Sequence, residues 1–93
     1  MSEYVDIQAE GTDDPEVMWI TTNVQLASGT EVEIYESPEE GDDGSALAQA
    51  LFEIPGLAGL RLDGTEMFIR REPGVEWPAL IADVSDALRD FFL

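Results

Sequence analysis

The sequence predicts an α+β fold, a two-layer sandwich in which a largely antiparallel sheet of four or five strands is covered by two helices. Three observations carry this expectation. Apolar and polar residues alternate in several short runs, the period of a strand. Two other stretches repeat apolar residues at helical spacing. The strand-like runs are apolar on one side only, so each needs a helical layer over that side. The predicted order is strand, strand, strand, helix, strand, strand, helix (β-β-β-α-β-β-α). With 93 residues the chain has room for one core, and a single domain over residues 1–93 is expected.

Tyr4 to Ala9 places Val5, Ile7 and Ala9 on one side and reads as a short first strand. Gly11 to Glu16 is loop chemistry. From Val17 the alternation is plain, with Met18, Ile20, Thr22, Val24 and Leu26 on one face and Val17, Trp19, Thr21, Asn23 and Gln25 on the other. Ala27-Ser28-Gly29 turns the chain, and Val32 and Ile34 continue the apolar side, so the two runs are expected to form a hairpin. Glu36 to Gly44 reads as a solvated acidic loop. Asp43 or Ser45 then supplies the N-cap of a short helix through Phe52, with Leu47, Leu51 and Ile54 on one stripe, ended by Pro55-Gly56.

Leu60 and Leu62 alternate with Gly59 and Arg61, and Met67 and Ile69 return on the same side after Asp63-Gly64. That dipeptide suits a tight primed turn because both residues tolerate positive φ, which gives a second hairpin with Arg61 and Arg70 on its outer side. After Glu72-Pro73-Gly74, Trp77, Leu80, Ile81, Val84, Leu88 and Phe91 recur at helical spacing to the end of the chain, with Pro78 in the permitted first turn. Leu47, Leu51, Trp77, Leu80, Val84 and Leu88 are the expected core.

Charge narrows the function. There are 21 acidic and 4 basic residues, a formal net charge of −17, and the basic residues are all arginines (Arg61, Arg70, Arg71, Arg89). Residues 1–60 hold 14 of the carboxylates and no basic residue. Without cysteine there is no disulfide, thiolate nucleophile or cysteine-ligated iron–sulfur cluster. Without histidine or lysine the usual neutral-pH base, the Schiff base and the Walker lysine are also missing. No carboxylate sits in an evidently apolar setting that would raise its pKa for acid–base work, so no enzyme is expected. The charge opposes nucleic acid and anionic lipid as partners. Met1 to Ala9 has no signal-peptide pattern and no stretch has the length of a membrane span, so the expected location is the cytoplasm.

The segment Ser45-Ala46-Leu47-Ala48-Gln49-Ala50-Leu51-Phe52-Glu53-Ile54-Pro55-Gly56-Leu57 resembles the "SPLAxxLFxIxGV" pattern of the N-terminal domain of the Nfu (NifU-like) iron–sulfur scaffold proteins. The strand pair from Leu60 to Arg71, the tryptophan-led last helix and Phe91-Phe92 resemble the same family, and Thr12-Asp13-Asp14-Pro15-Glu16 sits where it often has "TPNPN". The resemblance implies an α+β sandwich and a supporting, non-catalytic place in iron–sulfur cluster assembly, beside a partner with a Cys-x-x-Cys scaffold domain or a client protein. In that loop Asp14 and Glu16 replace the two asparagines, and the family's following lysine falls at Trp19.

Three surface features are candidates for function. If helices cover one side of the sheet only, Val17, Trp19, Phe68 and Tyr35 lie on its open side near Arg61 and Arg70, a composition suited to a protein contact; the plain alternative is strand side chains covering one another. The acidic runs read first as solvated surface. A second reading has Asp13, Asp14 and Glu16, with Asp42 or Asp43, holding iron or another divalent cation weakly; no other cofactor is expected. Finally, carboxylates scattered over every element, with no lysine at all, suggest an acidic interaction module adapted to high salt.

Overall fold

The computed structural model describes residues 5–26 and 32–92. Its elements are β1 (Ile7–Gly11), β2 (Val17–Thr22), β3 (Glu33–Tyr35), α1 (Pro38–Asp42), α2 (Ala46–Leu51), β4 (Leu57–Asp63), β5 (Glu66–Arg71) and α3 (Trp77–Phe92). The strands form one antiparallel five-stranded sheet in the order β1-β2-β5-β4-β3. This is the expected α+β arrangement, with one helix more than the sequence suggested.

The expected hairpin of β2 with β3 does not form. β2 pairs with β1 and β5, and β3 lies at the opposite edge against β4. Local alternation fixes which side of a strand is buried and carries no information on the neighbour it chooses. β2 also stops at Thr22, where the Thr22 hydroxyl accepts from the backbone N–H of Val24 (3.2 Å), a side-chain bond that competes with the ladder. Leu26 still reaches the core, its N–H donating to the Gly64 carbonyl at 2.7 Å. The turn residues 27–29 and Tyr4 lie outside the described residues.

The hairpin of β4 with β5 is present. Its two central turn residues are Gly64 and Thr65, between the paired Asp63 and Glu66, and Gly64 alone has positive φ (+61°). A glycine at the first central position is the type II′ requirement, so the turn is built on Gly-Thr rather than on Asp-Gly.

The segment expected to be a loop contains α1. Ser37 is its N-cap, accepting from the Glu40 N–H, and Pro38 starts the first turn. Asp43 closes α1 as its C-cap, which leaves Ser45 as the N-cap of α2, accepting from the Ala48 N–H at 3.3 Å.

The core gathers the inner side of the sheet (Ile20, Leu57, Leu60, Leu62, Met67, Ile69) with Leu47, Ala48 and Leu51 of α2 and Leu80, Val84 and Leu88 of α3. Each large side chain among them contributes about 1.5–3 kcal/mol by leaving water. A register shift between Leu57 and Gly59 lets Leu57 join Leu60 and Leu62 inside, although strict alternation would turn it out. Phe91, expected on the apolar stripe, is 43% exposed, and Phe92 packs against the core instead.

Candidate functional site

Antiparallel pairing places partner residues on the same side of a sheet, so the register itself lays out the uncovered face. One row crosses all five strands: Glu10 beside Trp19, Trp19 beside Phe68, Phe68 beside Arg61, and Arg61 beside Ile34. The next row on that face runs Val17, Arg70, Gly59. Trp19, Phe68, Arg61 and Arg70, singled out from alternation alone, are therefore neighbours in space.

Their contacts are specific. Trp19 and Phe68 stack with ring centroids 6.3 Å apart and planes inclined by 12°. The Trp19 indole N–H donates to the Glu66 carboxylate at 3.1 Å, which fixes the ring over the sheet. On the other flank of Phe68, the Arg61 guanidinium carbon lies 5.6 Å from the ring centroid, within cation–π range. Arg70 lies across Gly59, where any Cβ would stand 3.0 Å from its Nε, so the glycine makes the space for the guanidinium. The Arg70 Nη2 donates to the carbonyls of Glu36 and Ala58, the latter in the segment where the β4 register shifts. These side chains border an open groove of about 480 Å³ lined by Val17, Glu36, Gly59, Arg61, Phe68 and Arg70, among others.

Tyr35 borders this groove as well, but it stands outside the row of Trp19, Phe68 and Arg61, in which Ile34 is the β3 member. It pairs with the buried Leu60, its ring meets Phe52 edge-on at 6.1 Å, and its hydroxyl donates to Glu33 and accepts from the Ser45 N–H at 3.2 Å. It ties β3 to the start of α2. Burial, followed by the hydrogen bond to Glu33, holds the Tyr35 phenol above its usual value of 10.0.

The loop Thr12 to Glu16 is locked at the far end of the sheet. The Thr12 hydroxyl accepts from the Asp14 N–H (3.1 Å), the Asp14 carboxylate accepts from the Glu16 N–H (2.9 Å), and the Pro15 carbonyl accepts from the Trp77 indole (3.0 Å). Glu16 pairs with Arg71 (3.4 Å), whose guanidinium also lies 5.1 Å from the Trp77 ring and donates to the Val75 carbonyl (3.0 Å). Asp42 ends α1 and Asp43 caps it. Among the described residues no group of three or more acidic, histidine or cysteine side chains is placed to hold a metal ion, so Asp13, Asp14 and Glu16 are not gathered with Asp42 or Asp43 into a ligand set.

The sequence did not mark Gly59, Glu36 or Glu66 as parts of the site. A glycine inside a strand is a legible sign of close backbone approach, and Gly59 carried it. Glu36 acts through its carbonyl, which no side-chain pattern announces.

A sequence model described as the N terminus of scaffold protein Nfu/NifU matches residues 7–93. The chain belongs to the Nfu N-terminal family. A similar fold is seen in the crystal structure of protein SAV1430 from Staphylococcus aureus, which is 15% identical with a TM-score of 0.70 over 87% of this chain and 94% of that one. A solution NMR structure of a Staphylococcus epidermidis protein is 14% identical with a TM-score of 0.56, covering 90% of this chain and 94% of the other. At these identities the likeness is one of fold. No curated protein gives a significant sequence match. Among the described residues no helix is long and apolar enough to cross a membrane.

Proposed function

We propose that this Nfu N-terminal domain is a non-catalytic interaction module of iron–sulfur cluster assembly, one that holds another protein against the open face of its sheet. The single observation behind this reading is the grouping of Trp19, Phe68, Arg61 and Arg70 around a groove on a sheet face that carries no helix among the described residues. Tryptophan, phenylalanine and arginine are residue types enriched in protein interfaces. Family membership supplies the process, because the family is that of a scaffold protein. Lacking cysteine, the chain offers no thiolate to ligate a cluster. Its partner is a protein with a Cys-x-x-Cys scaffold domain or a client that receives the cluster, and the cytoplasm is where they meet.

The test is an amide-shift titration of the labelled protein with a purified Cys-x-x-Cys scaffold domain, empty and cluster-loaded. Shifts are expected at Val17, Trp19, Arg61, Phe68 and Arg70, and a folded Trp19→Ala, Arg70→Ala double variant should bind at least about tenfold more weakly. Unchanged affinity in that variant would remove the open face from the function.

A further inference from the structure

The four arginines of this chain divide into two pairs by their surroundings. Arg71 is within 3.4 Å of the Glu16 carboxylate and Arg89 within 3.7 Å of that of Asp86. Arg61 and Arg70, the two on the open face, have no carboxylate within salt-bridge distance among the described residues, in a chain with 21 carboxylates. Ion pairing is the default where acids outnumber bases so heavily. These two cations are instead held in place by other means: Arg61 against the Phe68 ring and Arg70 by carbonyl acceptors over Gly59.

Carbonyl bonds to Nη2 orient the Arg70 fork without neutralising it, and its Nε and Nη1 have no further hydrogen-bond partner among the described residues. A guanidinium fixed in this way is preorganised to accept a carboxylate, which it binds through a charge-assisted hydrogen bond. Phe68 stands beside Arg61 and two residues from Arg70 on β5, and Val17 flanks Arg70 on the β2 side; both are half-buried and line the groove, where they supply an apolar floor.

We infer that this groove takes a protein segment in which a carboxylate side chain stands next to an apolar one, the carboxylate meeting Arg61 and Arg70 and the apolar side chain resting on Phe68 and Val17. The inference rests on the reading of the face as a protein-binding surface and adds the chemistry of what it binds. The net charge of −17 does not prevent this. At physiological ionic strength charges beyond the Debye length of about 8 Å are largely screened, so the charge at the groove is set by its own lining, two arginines against the exposed Glu36, rather than by distant carboxylates. A cationic segment, which the overall charge attracts, meets two arginines here and is directed to the acidic loops instead.

The test uses three capped hexapeptides, Gly-Leu-Glu-Leu-Glu-Gly and its counterparts with glutamine or lysine in place of glutamate, titrated into the labelled full chain in 0.15 M salt. The glutamate peptide should shift the amides of Gly59, Arg61, Phe68 and Arg70, and the glutamine peptide should bind at least about tenfold more weakly. Arg61→Gln should lose the same factor while retaining the melting temperature; Arg70→Gln should lose it too, and Arg61→Gln alone decides if the second variant proves unstable. Equal binding of the glutamate and glutamine peptides, binding of the lysine peptide at these amides, or no shift at millimolar peptide would each overturn the inference. Binding of the lysine peptide in the groove would leave the interface reading intact and reverse only the ligand's sign. Localised shifts that fall away from the sheet face, for both the peptide and the scaffold domain, would remove both.

Discussion

Trp19 of β2 and Phe68 of β5 lie nearly parallel at 6.3 Å, side by side on the uncovered face of the sheet, with the Trp19 indole N–H tied to Glu66. A stacked pair of this kind contributes about 0.5–1.5 kcal/mol beyond its buried area. Trp19→Ala should therefore lower stability by only about 1–2 kcal/mol in urea unfolding, while weakening partner binding. Trp19→Phe keeps the stack and loses the hydrogen bond, and it should retain most of both. A loss above about 4 kcal/mol would mean that Trp19 serves the core.

Arg71 joins the first loop to the last helix, through Glu16, Val75 and the Trp77 ring. A lysine keeps the charge but cannot make a forked set of bonds or stack as a plane. Arg71→Lys should cost about 1–3 kcal/mol and move the amides of residues 12–16, with little change at Arg61 or Arg70. An unperturbed loop in the variant would show that the Thr12 and Asp14 turn bonds hold it unaided.

Tyr35 gives a pH dependence of definite sign. Its folded-state pKa lies above the usual 10.0, chiefly through burial and then through the bond to Glu33. The group thus favours folding in its neutral form, fully so below pH 10.0, and that contribution disappears as pH rises through the folded-state value. Stability should fall on going alkaline above pH 10.0, where the phenolate faces Glu33 in a partly buried site. Tyr35→Phe should be less stable at neutral pH and lack this alkaline phase, measured by urea midpoints against pH.

Salt should stabilise the fold. Mutual repulsion among 21 carboxylates is opposed by four cations, and α3 adds Asp86 and Asp90 at like-charge helical spacing. Raising potassium chloride from about 0.15 M to about 1 M shortens the Debye length from about 8 Å to about 3 Å. The melting temperature should climb across that range, and a flat profile would refute salt adaptation.

The sequence made the sheet faces legible because burial imposes a period of two on each strand. Trp19, Phe68, Arg61 and Arg70 were found in this way. Strand partners were not legible, since β2 is as apolar beside β5 as it would be beside β3. The helix α1 was hidden by composition: Ser37-Pro38-Glu39-Glu40 is a sound helix start, with a cap, a first-turn proline and acids at the positive end of the dipole. Gly41 and the acidic run outweighed that signal. The side of Tyr35, which pairs with the buried Leu60 while also bordering the groove, is not legible because β3 is only three residues long, too short for alternation to declare its face.

The sheet order has a consequence for how the chain assembles. β5, the next to last element, is the central strand, and the row from Glu10 to Ile34 is completed only through Phe68 and Arg61. All cationic side chains also come at or after Arg61. Without residues 61–71, β1 with β2 on one side and β3 on the other have neither a complete common neighbour nor a cationic side chain, so sheet closure and charge compensation depend on the same segment. Long-range closure of this kind slows folding relative to local pairing.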